Sequence, residues 1–254
     1  MKEQPFIALV SGAASGIGAE CVKQYLAMGV HVYGIDKDED KLLTLKHQLK
    51  GSTGAFTPVV CDLVNEQPSS LGELGIAFEA DAKVALVNNI GGSDMTTNQF
   101  LAHDWSDFIS SYEFNVKPAF TLSKLMIPVM KSANWGRIVM ISSVAARKPL
   151  PAVGAQYCAA KSALLGLTRK LADEFSEYGI LTNTVCPGVI ATDRILAGWD
   201  KKSPQQVQVD LQKFPCKRLG TPQDVAQMVC FLGSDQNNYM SGSISDVNGG
   251  LYMS

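Results

Sequence analysis

The sequence predicts an α/β fold: one doubly wound parallel sheet of about seven strands, helices on both faces, in a single domain over residues 1–254. Three observations lead there. Short runs rich in Val, Ile and Leu alternate along the chain with longer helix-like stretches. The runs are nearly continuous rather than alternating with polar residues, as in strands covered on both faces. No repeat, low-complexity tract or Ser/Pro-rich linker interrupts the 254 residues. A chain that long hides roughly three quarters of its unfolded surface without help from disulfides or metal.

Taken in order, the apolar runs place strands at Phe6–Val10, Val30–Ile35, Ala55–Cys61, Val84–Val87, Arg137–Ile141, Leu181–Cys186 and Ser243–Val247. Helices are expected near 16–28, 38–50, 104–114, 117–132, 156–178 and 222–233. The stretch 65–80 holds Asn65, Pro68, Gly72 and Gly75, poor helix formers, and should be short or irregular. Asp193–Pro215 sets Ile195, Leu196, Trp199, Leu211 and Phe214 among Lys201, Lys202, Gln205 and Gln206. That pattern fits an amphipathic lid over a site or an ordinary surface helix pair. In such sheets ligands sit at the carboxyl ends of strands, so chemistry is sought in the loops that follow them.

Composition excludes several classes. With 22 Lys+Arg against 24 Asp+Glu and no basic block, the chain has neither a disordered composition nor a surface for nucleic acid. The first apolar run is too short for a signal peptide or a membrane span, which makes the cytoplasm the expected location and excludes the membrane. The six cysteines are scattered with no C-x-x-C pair, and the three histidines form no i,i+4 pair. No metal site is signalled.

The first strand runs into Ser11-Gly12-Ala13-Ala14-Ser15-Gly16-Ile17-Gly18 and then a helix. Glycines at such a junction let the backbone turn sharply and approach a pyrophosphate, which lies against the N–H groups of the helix start. An ordinary turn would also use them, but the next strand ends at Asp36, near the offset at which a carboxylate meets an adenosine ribose. Asp36 would accept from the 2′- and 3′-hydroxyls and repel a 2′-phosphate, favouring NAD(H) over NADP(H). Lys37 offers one cation to a phosphate, and Ser15 adds none.

Tyr157 and Lys161 stand four residues apart at the start of a strongly helical stretch, on one helix face. A nearby ammonium favours phenolate and would bring the phenol into range for acid–base work. On its own the pair also fits an ordinary surface helix.

With the glycine turn, these residues join Asp62, Asn88-Asn89-Ile90-Gly91, Asn115, Ser142-Ser143 and Pro187-Gly188-Val189-Ile190-Ala191-Thr192 in a pattern that resembles the classical short-chain dehydrogenases/reductases. The resemblance runs end to end, through Arg218-Leu219-Gly220-Thr221-Pro222 to Asp246 and Gly249-Gly250. It implies a Rossmann-like domain in which Tyr157 is the acid–base and Lys161 lowers its pKa and holds the nicotinamide ribose. Ser143 would hydrogen-bond the substrate oxygen, and Asn115 would hold a water linking Lys161 to solvent. The cofactor would meet Gly12, Ser15, Gly16, Ile17 and Gly18 at the turn, Asp36 and Lys37 at the ribose, and Asp62 with Leu63 at the adenine. Asn88 and the main chain of Asn89, Ile90 and Gly91 would line the adenosine ribose. Pro187, Gly188, Val189, Ile190 and Thr192 would fix the carboxamide. The implied reaction is reversible hydride transfer between NAD(H) and a secondary alcohol or ketone, in a homotetramer or homodimer packed through small and apolar residues such as Ala155, Ala159, Ala160, Ala163 and Phe175.

Two features depart from the family pattern. Ile90, followed by Gly91-Gly92, stands where alanine is usual, and Ser143 precedes Tyr157 by one residue more than is usual. A related activity is reduction of 3-oxoacyl chains on an acyl carrier protein. Asn134 and Tyr178 stand where such reductases present arginine, which weakens that reading. The Asn-Asn-Ile-Gly-Gly stretch is similar to some cis-dihydrodiol dehydrogenases, and a non-catalytic dinucleotide sensor is the rival class on the same fold. Substrate choice is expected in 193–215, in the 145–155 loop and around Ile90–Thr97. Arg147-Lys148 reads either as an attractor for an anionic substrate or as a solvated charged loop.

Overall fold

A computed structural model describes residues 4–79, 81–93, 98–151 and 153–253. Its strands are β1 (Phe6–Ser11), β2 (His31–Asp36), β3 (Phe56–Val60), β4 (Lys83–Asn88), β5 (Gly136–Ile141), β6 (Ile180–Pro187) and β7 (Ile244–Val247). All are parallel in one sheet, ordered β3-β2-β1-β4-β5-β6-β7. Each expected strand is present, with ends that agree or shift by one residue. Ile7 of β1 stands opposite His31 on one side and Val84 on the other. The chain therefore winds outward from β1 in one direction through β3, then returns to build the other half from β4. That reversal opens a crevice at the carboxyl ends of β1 and β4.

Parallel neighbours need crossovers, and helices supply most of them. They are α1 (Gly16–Ala27), α2 (Glu39–Gln48), α3 (Trp105–Asn115), α4 (Lys117–Ala133), α5 (Ala155–Phe175), α6 (Asp193–Trp199), α7 (Pro204–Gln212) and α8 (Pro222–Leu232). Successive strand side chains feed opposite layers. Ala8, Val10 and Val32 pack with Val22 and Leu26 of α1 and Val225 and Val229 of α8. Ile7, Leu9 and Ile35 pack with Leu122, Met126 and Met130 of α4 and Leu164 and Leu171 of α5. Two apolar layers on one sheet explain why the strand runs are unbroken in the sequence.

Residues 65–79 form turns and no helix, as their propensities indicate. The 193–215 segment resolves as the helix pair α6 and α7. The Trp199 and Phe214 rings lie 6.5 Å apart, and Lys202 and Lys213 hold the Asp210 carboxyl well below the usual carboxylate range. Among the described residues no helix is long and apolar enough to cross a membrane.

Candidate active site

The site is built on the turn between β1 and α1. Gly12 and Gly16 have φ of +64° and +55°, left-handed values that glycine adopts without penalty. Ser15 precedes α1 in extended conformation and makes no side-chain cap, so the first-turn N–H groups face outward. At Gly18 a Cβ would stand 2.0 Å from the Gly12 carbonyl oxygen and 2.8 Å from the Asn89 amide nitrogen. The Ser11 hydroxyl donates to the Val87 carbonyl at 3.2 Å and accepts from Asn89 N–H at 3.0 Å. The Asn89 amide donates to the Ser11 and Gly12 carbonyls, both at 3.1 Å. The turn is thus held from β4 as well as by its own glycines. Gly18→Ala is expected to destabilise the fold by about 1–3 kcal/mol, as overpacking against backbone does, which a thermal melt would read.

Asp36 ends β2 with its carboxylate accepting from Ala14 N–H at 3.0 Å and Asp38 N–H at 3.1 Å. Lys37 is exposed, and its ammonium lies 3.9 Å from the Asp62 carboxylate. Gly12, Ser15, Gly16, Ile17, Asp36, Lys37, Asp62, Leu63, Asn89, Ile90, Gly91 and Thr192 line one cavity of about 350 Å³. The structure therefore brings together most of the cofactor contacts expected from the sequence. Gly18 lies under the turn. Gly188, Val189 and Ile190 line an adjacent cavity of about 280 Å³ rather than this one. Asn88 departs from its implied role. It is buried with its amide donating toward Ser123 and Met140, because the pleat of β4 sends 88 inward and 89 toward the turn.

The second group of residues comes from β5 and α5. Ser143 caps a 3₁₀ turn at Val144–Ala146, its Oγ accepting from Ala145 N–H at 3.1 Å. Ser142 instead donates to the Lys161 carbonyl at 2.8 Å, a structural bond that leaves Ser143 as the serine of the site. Tyr157 and Lys161 lie one turn apart near the start of α5, with the ammonium 6.0 Å from the phenol ring centre. Ser143 is near enough to the Tyr157 phenol to favour its ionised form. Lys161 is almost wholly buried and donates from Nζ to the Ile141 carbonyl at 3.0 Å. Asn115, at the break between α3 and α4, accepts from Gly92 N–H at 2.9 Å and donates to the Gly92 and Ser111 carbonyls at 3.1 and 3.0 Å. Both its N–H groups are thus engaged by backbone. Its Oδ1 and Lys161 Nζ each stand 2.6 Å from where a Gly91 Cβ would be.

Burial dominates the electrostatics. It raises the Tyr157 phenol above its ordinary value, while the Ser143 hydrogen bond and the Arg194 charge oppose the rise. Burial, with help from Arg194, lowers Lys161 to about 7. The expectation that Lys161 depresses the phenol is therefore not what the geometry produces here. Burial disfavours the charged amine, and the cation that opposes the rise at Tyr157 is Arg194.

The far wall of the site, 187–192, is pinned by two remote segments. Gly188 N–H donates to the Val247 carbonyl at 2.9 Å. Gly220 N–H donates to the Val189 carbonyl at 3.0 Å, and Ala191 N–H to the Gly220 carbonyl at 2.8 Å. Here the Arg218–Pro222 motif gains a physical role. Thr221 and Asp224 form a capping box that starts α8, and Arg218 grips Asp224 through two bonds. Arg147 pairs with Asp246 at 3.3 Å and stacks 4.9 Å over Tyr252, while Lys148 donates to the Leu251 carbonyl at 2.9 Å. These two cations are engaged within the chain, which matches neither reading made from the sequence. Sequence reasoning missed Arg194 and Phe114, both lining the larger cavity. Arg194's only signal was its place two residues after Thr192. Asp94–Thr97 and Ala152, within stretches expected to select substrate, lie outside the described residues. Among the described residues no three His, Cys, Asp or Glu side chains are grouped to hold a metal.

Comparison with known proteins agrees with this geometry. The family model described as enoyl-(acyl carrier protein) reductase matches residues 12–252. The chain is 33% identical over 246 residues to the 3-oxoacyl-[acyl-carrier-protein] reductase of Rickettsia bellii, covering 97% of this chain and 96% of that one. It is 30% identical over 248 residues to oxidoreductase UcpA of Escherichia coli, covering 96% and 93%. The crystal structure of a 3-oxoacyl-[acyl-carrier protein] reductase from Brucella melitensis with bound NAD superimposes with a TM-score of 0.84 at 28% identity, covering 99% and 93%. The ordered motifs, the seven-stranded parallel sheet and these end-to-end matches place the chain in the classical short-chain dehydrogenase/reductase family of oxidoreductases.

Proposed function

We propose that this chain transfers a hydride between NAD(H) and a secondary alcohol or its ketone, with Ser143, Tyr157, Lys161 and Asn115 as the working residues. One observation carries the reading: Tyr157 and Lys161 stand one turn apart on α5, with Ser143 just past the end of β5, and Lys161 Nζ closes on Gly91 of the cavity that contains the glycine turn. The cradle fits a dinucleotide, since side chains larger than hydrogen at Gly12 and Gly16 would be strained and would crowd Asn89 and Thr192. The open α1 start suits its phosphates. When bound, the nicotinamide ring supplies or accepts the hydride.

The rest falls to protein groups. In reduction the Tyr157 O–H gives its proton to the substrate oxygen, and burial keeps that proton in place at neutral pH. Ser143 Oγ accepts from Ala145, which leaves its hydrogen free to donate to the same oxygen and steady charge developing there. Asn115 grips Gly92 and keeps the end of β4 against Lys161. Asp36 is the group expected to prefer NAD(H), and the NAD bound by the Brucella melitensis relative supports this. Asp36→Asn removes the charge while keeping an acceptor, and should shift the NADH/NADPH preference toward NADPH by about tenfold in kcat/KM. An unchanged ratio would remove Asp36 from that role.

Trp105, Ile109, Tyr112 and Phe120 are exposed on α3 and α4, an apolar face that supports assembly as a homodimer or homotetramer in the cytoplasm. A second reading, reduction of a 3-oxoacyl thioester on a carrier protein, is favoured by the names of the Rickettsia and Brucella relatives. NADH oxidation with a panel of ketones beside acetoacetyl thioesters separates the two. Dinucleotide binding with no turnover of either class would leave only a sensor.

A further inference from the structure

Five charged side chains line the 350 Å³ cavity, and four have an evident role. Asp36 accepts two backbone N–H groups, and Asp62 accepts from Val64 and Asn65 and faces Lys37. Asp193 sits in the first turn of α6, where a negative charge suits the helix dipole. Arg194 has no ion-pair or hydrogen-bond partner among the described residues. The residue is exposed, and its guanidinium lies against the main chain at Gly92. It reaches across the cavity to Gly92, where a Cβ would stand 2.0 Å from one of its terminal nitrogens.

Gly91-Gly92 is therefore flanked on one side by Asn115 and Lys161 and on the other by Arg194. The same charge acts on both Tyr157 and Lys161, which puts it at the acid–base end of the cavity. The glycine turn and the open start of α1 line the same cavity, Gly16 standing against Thr192, and offer backbone N–H groups of their own to a dinucleotide's phosphates. An arginine fork with no carboxylate of its own is the side chain best shaped to take one in two parallel bonds. The second glycine of the Asn-Asn-Ile-Gly-Gly stretch makes room for it.

We propose that Arg194 is a specificity-determining residue that receives a carboxylate carried by the substrate, so that the site takes oxo acids and hydroxy acids ahead of neutral ketones and alcohols. This rests on the hydride-transfer reading and names its substrate class. The test compares pyruvate, acetoacetate and levulinate with their methyl esters. Turnover is followed by NADH oxidation, and binding to the NAD⁺-loaded enzyme by calorimetry. The wild type should favour an acid over its ester, and Arg194→Gln should lower that preference on the order of 10–100-fold, the loss expected for a charged hydrogen-bond pair. Arg194→Lys should restore part of it, and Gly92→Ala, which puts a methyl group where the guanidinium lies, should lower it as Arg194→Gln does.

Equal binding of acids and esters by the wild type, or binding of neither, overturns the proposal. So does an Arg194→Gln enzyme that loses NAD⁺ affinity while keeping its acid preference, because the charge would then serve the cofactor's phosphates. If no compound is turned over yet the acids bind and the esters do not, hydride transfer fails as a reading while the carboxylate site stands.

Discussion

Tyr157→Phe is expected to lower turnover about 10²–10⁴-fold, the usual contribution of one positioned acid–base group. NADH affinity should stay within about threefold. The substitution removes a single oxygen and leaves the ring packed as before, so a loss confined to kcat isolates proton transfer from binding. The pH dependence of the unmodified enzyme has a definite sign. Burial disfavours the phenolate, so the proton donor is present at neutral pH and below. Reduction should therefore proceed at neutral pH and weaken as the phenol ionises in alkali. Oxidation, which needs the phenolate as base, should rise across the same alkaline range. Rates measured in both directions against pH check this, and oxidation that peaks in acid would contradict it.

Lys161→Met is expected to move activity and stability in opposite directions. Activity should fall on the order of 10²-fold, because a polar group beside the proton donor and the cavity is lost. Stability should rise, since replacing a buried cation with an apolar side chain of similar length removes a desolvation penalty of about 1–4 kcal/mol. In a chain of this size that amounts to a gain on the order of 5 °C in Tm. The Ile141 carbonyl, left one donor short, offsets part of the gain. The pH window follows from the lowering of Lys161 to about 7. Above that value the folded protein has released a proton that the unfolded chain keeps until the ordinary lysine range. The wild type therefore gains stability as pH rises between the two. The advantage of Lys161→Met should be full below pH about 7 and shrink steadily in alkali. Thermal melts of both proteins from pH 6 to pH 10 read this directly.

The sheet was legible because its signal is local: each strand is an unbroken apolar run, and each run ends at a residue that turns the chain. The glycine turn with Asp36, and Tyr157 with Lys161, were legible for the same reason, being sets of residues at fixed short spacing. What escaped was tertiary. Spacing puts Tyr157 and Lys161 on one helix face but says nothing of how much water reaches them, and desolvation reverses the expected shift of the phenol. Asn88 and Asn89 are indistinguishable as a pair of letters, and only the phase of β4 decides which one meets the turn. The pairings of Arg147 with Asp246 and Lys148 with Leu251 join residues about a hundred positions apart. Arg194 belongs to no short motif, and its approach to Gly92 depends on how α6 is set against the end of β4.

The pinning of 187–192 by Gly220 and Val247 has a consequence for synthesis. The glycine turn and the proton-handling residues all lie at or before Lys161, yet the wall facing them takes its shape from Gly220 and Val247, which are synthesised after it. A nascent chain can hold a nucleotide-shaped hollow well before it can close one. Competence to act on a substrate is therefore acquired only once Val247 has been made and β7 has paired with β6.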